Sequence, residues 1–287
     1  LRLLQLGVGA HAPVLVAAGQ LEHGQVQASA QRETQINTPQ SGWVEQDAQE
    51  IWSSQMAVVQ QALASARILA KDIQAIGLTN QRETTIVWDK RNGQPLAPAI
   101  IWQDRRAADW CNQLLQQGLQ QKIQQTTGLL IDPYFSAGKL VWLLKHIPGL
   151  AELAAQGHVA FGTVDSWLIW NLTQGAEHVI EVSNASRTML MNLQTQSWDE
   201  ELLQLFQIPA SVLPKIISSD HYVADTAAGL LGARIPISGI LGDQQSALFG
   251  QSCFEPGMAK NTYGTGCFML FNTGSTLQYS QNKLLST

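Results

Sequence analysis

Apolar positions in this chain fall into short β-branched runs separated by stretches of helical periodicity. Residues 235–241 hold three isoleucines in seven positions, too short a run for a helix, and read as a buried strand that Gly242 ends. A helix over about 244–249 follows. Residues 73–79 and 84–89 read as two more strands, the second closed by the turn Lys90-Arg91-Asn92-Gly93, and 100–102 as a shorter one. Trp52, Met56, Val59 and Leu63 recur at i, i+4, i+7 and i+11, which predicts an amphipathic helix with Asp47 as its N-cap. Further helices are predicted over 107–119, over 140–144 within the 132–146 segment, within 161–170 after a turn and with a cap near Asp165, and over 198–206 started by Ser197. Residues 184–190 read as a polar loop into a strand. Residues 1–36 give only one or two weak strands, near 13–17 and 25–30. Strands alternating with helices up to Phe249 predict an α/β fold. Past Cys253, Glu255-Pro256-Gly257 reads as a junction, and 258–263 and 267–272 as two new strands around Gly264-Thr265-Gly266.

Composition narrows the field. A chain of 287 residues suggests about two domains, and 45% hydrophobic content supports a sizeable core. Only 14% of residues are charged and the net charge is −5, so neither nucleic acid nor an anionic membrane is an expected partner. Cys111, Cys253 and Cys267 are odd in number and lack metal spacing, which fits free thiols in a reducing cytoplasm. No apolar run has the length of a membrane span. Arg2 followed by an apolar stretch loosely mimics a signal peptide, an impression that Gln5, His11 and Pro13 weaken.

Four places carry candidate chemistry. Asp243 stands where a predicted strand passes into a helix, the end of an open α/β sheet at which ligands collect. A carboxylate there with no adjacent Lys or Arg in sequence is a candidate general base; equally, it caps the helix. The Gly264-Thr265-Gly266 turn offers backbone N–H groups and a hydroxyl to a phosphate, or it is an ordinary hairpin turn. A base followed by a phosphate-grade turn points to phosphoryl transfer to a hydroxyl. Arg82 and Glu83 sit together at a strand end, where they form a surface ion pair or present donors and acceptors to a small polyol. Trp102 reads as core or as a flat apolar wall. Gly138-Lys139 is not a phosphate loop, since no glycine stands five residues before Gly138 and Leu140 follows the lysine.

Eight blocks together resemble the FGGY carbohydrate kinase family, and its glycerol kinase branch in particular: GWVEQD (42–47), LTNQRETTIVWD (78–89), AIIWQDRR (99–106), IDPYFSAGKLVWLL (131–144), FGTVDSWLIW (161–170), SNASRTML (183–190), RIPISGILGDQQSALFGQ (234–251) and MAKNTYGTGCFML (258–270). The similarity runs from about Gln31 to Thr276. The resemblance implies two ribonuclease-H-like, actin-type lobes with the active site between them: a substrate lobe over 1–252 and the start of an ATP lobe over 253–287. It implies glycerol lying against Trp102 and Phe268, with its hydroxyls held by Arg82, Glu83, Tyr134 and Asp243 beside Gln244. Asp243 would take the proton as a hydroxyl attacks Mg2+-bound ATP, and Gly264 and Thr265 would touch the nucleotide phosphates. Arg187 would help orient the site. Gly232-Ala233-Arg234 matches a loop that binds fructose bisphosphate in bacterial members, an allosteric anion site. A homo-oligomer is expected of a full-length parent.

Two departures qualify that picture. Where the family carries an acidic, hydroxyl-rich phosphate segment near the N-terminus, this chain reads Gln5-Leu6-Gly7-Val8-Gly9-Ala10-His11-Ala12-Pro13, with no carboxylate before Glu22. Residues 1–30 are accordingly expected to reflect a shifted reading frame or a wrong start. The family also extends well beyond residue 287, so a truncated second lobe is expected, with little kinase activity of its own. A polyol-binding pseudokinase, or a kinase of another polyol or ketose, is the alternative.

Overall fold

A computed structural model describes residues 2–9, 14–20, 25–263 and 267–287. Its centre is a six-stranded mixed sheet. Arg2–Val8 lies parallel to Ala75–Asn80, which lies parallel in turn to Pro236–Gly242. Val14–Gln20 and Gln25–Arg32 extend the sheet as antiparallel neighbours beyond Arg2–Val8, and Ala224–Asp225 closes the other edge. The strands expected near 13–17 and 25–30 are thus both present, and a third, Arg2–Val8, precedes them. Arg2–Val8 is an interior strand, and Leu4, Leu6 and Val8 point into the core. Alternation with Gln5 and Gly7 carries this signal, over too few residues to stand out in sequence.

One face of the sheet is covered by two helices, Ala48–Ala66 and Val164–Leu172. Asp47 caps the first, its carboxylate accepting from the Gln49 N–H at 2.7 Å. Ile51, Val58, Val59, Ala62 and Leu63 form its buried face; Trp52 and Met56, expected in that face, lie at its rim. Trp167 donates from Nε1 to the Ala48 carbonyl at 2.8 Å and ties the two helices together. Cap and turn geometry shift several other predicted elements. The second helix begins at Thr163, and Asp165 is fully buried in its first turn. The helix expected over 107–119 is two, Ala108–Gln116 and Gln120–Thr127. Ser197–Trp198 pairs as a strand, and the helix there is Glu200–Phe206, capped by Asp199. Asn184 and Ala185, at the start of the expected loop, belong to a short helix, Val182–Ala185.

A second core gathers Phe135, and Leu140 and Leu143 of the helix Ser136–His146 that follows it, with Val87, Val159, Phe161, Leu190 and Phe206. It fixes that helix beside the loop that follows Ala75–Asn80. Beyond the helix Asp243–Gly250, strands Ala259–Tyr263 and Cys267–Phe271 form an antiparallel hairpin.

Candidate active site at the carboxyl ends of the parallel strands

The three parallel strands end in one row: Val8 pairs with Asn80, and Asn80 with Gly242. Ligands collect beyond such ends. The segments leaving the row are polar, with Gln81-Arg82-Glu83 after Asn80 and Asp243-Gln244 after Gly242.

Glu83 has a left-handed backbone, φ 62°. The Thr84 N–H donates to the Arg82 carbonyl at 2.8 Å, so Glu83 sits at the centre of a three-residue turn, the strained γ form. Its carboxylate is buried and accepts from Arg187 Nε at 2.6 Å. The Arg187 guanidinium in turn lies 5.7 Å from the Tyr134 ring and 5.1 Å from the Phe135 ring. Arg82, also buried, donates from Nη1 to Gln245 Oε1 at 3.2 Å. Its Nε stands 3.1 Å from Asp243 Oδ1, an ion pair approached off the N–H direction rather than an in-line hydrogen bond.

Asp243 opens the helix Asp243–Gly250 but does not cap it; the cap position is Gly242. Its carboxylate accepts from the Gln244 N–H at 2.7 Å and otherwise faces Arg82. The side chain is 37% exposed. Burial raises its pKa above the ordinary carboxylate value, the Arg82 guanidinium opposes that rise, and the Glu83 charge adds to it. A raised pKa makes Asp243 a better proton acceptor near neutrality.

Aromatic walls complete the cleft. Trp102 meets Tyr134 edge-on with centroids 5.8 Å apart, and Phe268 likewise at 6.3 Å. Burial, reinforced by Glu83, pushes the Tyr134 phenol up, so it is a neutral hydrogen-bond donor. The Gln244 amide oxygen accepts from Lys260, whose amine also donates to the Phe268 carbonyl at 3.3 Å. Burial lowers the Lys260 pKa, with Arg82 adding to the effect.

The structure therefore brings together Arg82, Glu83, Trp102, Tyr134, Arg187, Asp243, Gln244 and Phe268. Gly264 and Thr265 lie outside the described residues. Gly232 and Arg234 stand apart, near the amino end of the strand that carries Asp243 at its carboxyl end, roughly 20 Å away at ~3.3 Å per residue. Lys139, Gln245 and Lys260 were not expected at the site. A signal existed for the first. Ser136, Lys139, Leu140 and Leu143 recur at helical spacing on the buried face of one helix, an unusual position for a lysine.

Residues 6–250 match the FGGY family of carbohydrate kinases, N-terminal domain. The chain belongs to this family. The match begins at residue 6, well before the Gln31 from which the resemblance was expected to run, and so takes in the interior strand Arg2–Val8 from Leu6 onward. Glycerol kinase of Acinetobacter baylyi is 77% identical over 266 residues, 93% of this chain and 54% of the relative. Glycerol kinase of Acidovorax ebreus is 58% identical over 266 residues, 93% of this chain and 53% of its own. The chain spans about half the length of the curated relatives it matches. Among solved structures, Plasmodium falciparum glycerol kinase with ADP superposes with a TM-score of 0.93 at 35% identity, covering 99% of this chain and 56% of that one. A ligand-bound xylulose kinase from Lactobacillus acidophilus shares the fold at 21% identity, with a TM-score of 0.82 over 93% of this chain and 53% of its own. The mixed α/β architecture is that of the carbohydrate kinases with an actin-like ATPase fold, as expected from the sequence.

Proposed function

We propose that this chain carries the polyol-binding and proton-abstracting part of an ATP-dependent glycerol kinase, which forms glycerol 3-phosphate. The observation that carries the reading is the convergence of Arg82, Glu83, Tyr134 and Asp243 opposite Trp102 and Phe268. A triol offers hydroxyls on one side and C–H on the other. Here charged and hydroxyl groups share one site with the Trp102 and Phe268 rings. Trp102 and Phe268 take the carbon side, while Arg82, Glu83, Tyr134 and Asp243, with Gln244 adjacent, take the hydroxyls. Asp243 accepts the proton of the attacking primary hydroxyl, whose oxygen then bonds to the γ-phosphorus of ATP as ADP leaves. Arg187 holds the Glu83 carboxylate in place.

ATP enters as co-substrate, and the ADP complex of the Plasmodium relative supports nucleotide binding in the family. Gly264 and Thr265 are the residues we assign to its phosphates, by motif. Magnesium finds no ready protein cage. Both carboxylates of the site are paired with arginines, and no three His, Cys, Asp or Glu side chains converge among the described residues. We assign it no residue in this chain; when bound with ATP it neutralises charge on the transferred phosphoryl group. Gly232 and Arg234 are proposed as a separate anion site on the motif alone, supported by the exposure of Arg234. Three free thiols support a reducing compartment, read as the cytoplasm. A homo-oligomer is the proposed assembly of the longer parent.

Calorimetry with glycerol, alongside an ATP-dependent glycerol phosphate assay, tests the proposal. The isolated 287-residue chain is expected to bind glycerol and to turn over little, because phosphoryl transfer needs both lobes and the metal in place. Absence of glycerol binding overturns it. The missing carboxylate after Val8 favours a second reading, a polyol-binding protein without kinase activity. Phosphate transfer by the purified chain removes that reading.

A further inference from the structure

Lys139 is fully buried and forms no ion pair among the described residues. A lysine in that position is costly, because burial disfavours its charged form; its pKa falls to about 7 for that reason. What it does with its protons is specific. Nζ donates to the Glu83 carbonyl at 3.0 Å and to the Tyr134 carbonyl at 2.6 Å. The Glu83 carbonyl also receives Ser136 Oγ at 3.2 Å and Thr85 Oγ1 at 3.3 Å. Glu83 is the residue at φ 62°, in a strained turn form that persists only where its surroundings enforce it.

Building on the glycerol site proposed above, we infer that Lys139 is a positioning residue for polyol recognition. Its ammonium grips the main-chain carbonyls of Glu83 and Tyr134, holds Glu83 in its left-handed turn, and so fixes the spacing of two hydroxyl-binding side chains carried by separate elements. The physical argument is one of strain and its restraint. A relaxed Glu83 would swing its carboxylate away from Arg187, and one of the groups that distinguish a triol from a diol would be lost. Ser136 and Lys139 are one helical turn apart on the same face, so the helix Ser136–His146 brings both donors to one carbonyl. A hydrophobic residue at position 139 would suit the core of this helix better, which makes the buried amine hard to explain by stability alone.

The test uses Lys139→Met in the 287-residue chain, with two readouts. In the ligand-free crystal structure, Glu83 is expected to leave the left-handed region. By calorimetry, glycerol affinity is expected to fall about tenfold, the loss of one hydrogen bond to a charged group, while affinity for whichever of 1,2-propanediol and 1,3-propanediol lacks the Glu83-bound hydroxyl changes much less. The preference for glycerol over one of these deoxy analogues then collapses toward unity, which loss of stability alone would not produce. Retention of φ near 62° at Glu83, or an unchanged preference, overturns the inference. Should Lys139→Met fail to fold, Ser136→Ala takes its place, removing a weaker donor to the same carbonyl; it is expected to reduce the preference in the same direction by a smaller factor, and an unchanged preference again overturns the inference. A wild-type chain that binds no polyol defeats the functional reading instead, and the backbone of Glu83 in the variant still decides the role of Lys139.

Discussion

Asp165 and His178 respond to acid in opposite senses over nearly the same interval. Asp165 is fully buried and accepts from Thr163 Oγ1 and the Glu181 N–H, with no cation beside it among the described residues; burial raises its pKa to about 7. The folded state therefore holds a proton that the unfolded chain releases near 4, so this group's contribution to stability falls as pH rises from about 4 to about 7. His178 donates from Nε2 to the Phe161 carbonyl at 2.8 Å, and burial lowers its pKa to about 4. Its folded form lacks a proton that the unfolded chain holds up to about 6.5, so its contribution rises with pH from about 4 to about 6.5. The two slopes oppose each other. Urea unfolding of the wild type is expected to vary little across that interval, whereas Asp165→Asn should show stability climbing with pH. A descending profile in the variant would contradict the assignment. Gly242 poses a steric question at the same scale. A Cβ there would come within 2.7 Å of Arg82 Cδ and 3.0 Å of Gln245 Oε1, at an ordinary negative φ. Gly242→Ala is expected to displace Arg82 and cut glycerol affinity about tenfold by calorimetry, while the melting temperature moves only a few degrees.

Among the elements, the helix Ala48–Ala66 and the strand Arg2–Val8 depend on different physics. The helix carries its start signal in its own sequence. Asp47→Ala should cost about 1 kcal/mol in chemical denaturation, the usual value of a lost N-cap. The strand takes its stability from its neighbours on both sides and from the helix above it. Leu6, 1% exposed, lies in the middle of that contact, and Leu6→Ala should cost about 2–5 kcal/mol. A cost below 1 kcal/mol would remove the strand from the core. The long helix and the strand before Asp243 were legible because periodicity and end signals coincide over many residues. The N-terminal strand and the split at Gln117–Leu119 were not, because each turns on a few residues whose pairing partners are distant in sequence.

Across the whole molecule, the sheet is packed on one face and open on the other. Leu3, Gly77, Gly239, Leu241 and Phe249 line a groove of about 650 Å³ on the open face. Phe249, Met269 and Phe271 are 63, 69 and 54% exposed. Apolar surface of this extent drives association, and strands with unpaired edges add to it. The purified chain is expected to self-associate with rising concentration in light scattering. Replacing Phe249, Met269 and Phe271 with serine should shift it toward monomer without weakening glycerol binding, since none of the three faces the cleft residues. Scattering unchanged by the triple substitution would place the association elsewhere.

Local sequence alone determined the alternation of strands and helices, the Asp47 cap, the turn from strand to helix at Asp243 and, through motif strings, the membership of Arg82, Glu83, Trp102, Tyr134 and Phe268 in one site. These follow from interactions between near neighbours or from patterns that short stretches carry intact. Only the tertiary structure decided that Arg82 faces Asp243 rather than Glu83, that Glu83 is gripped by Arg187, and that Lys139 reaches two carbonyls from inside a helix. Ion pairing, backbone strain and burial of charge depend on which distant segments share a cleft, and that is set by packing across the whole sheet.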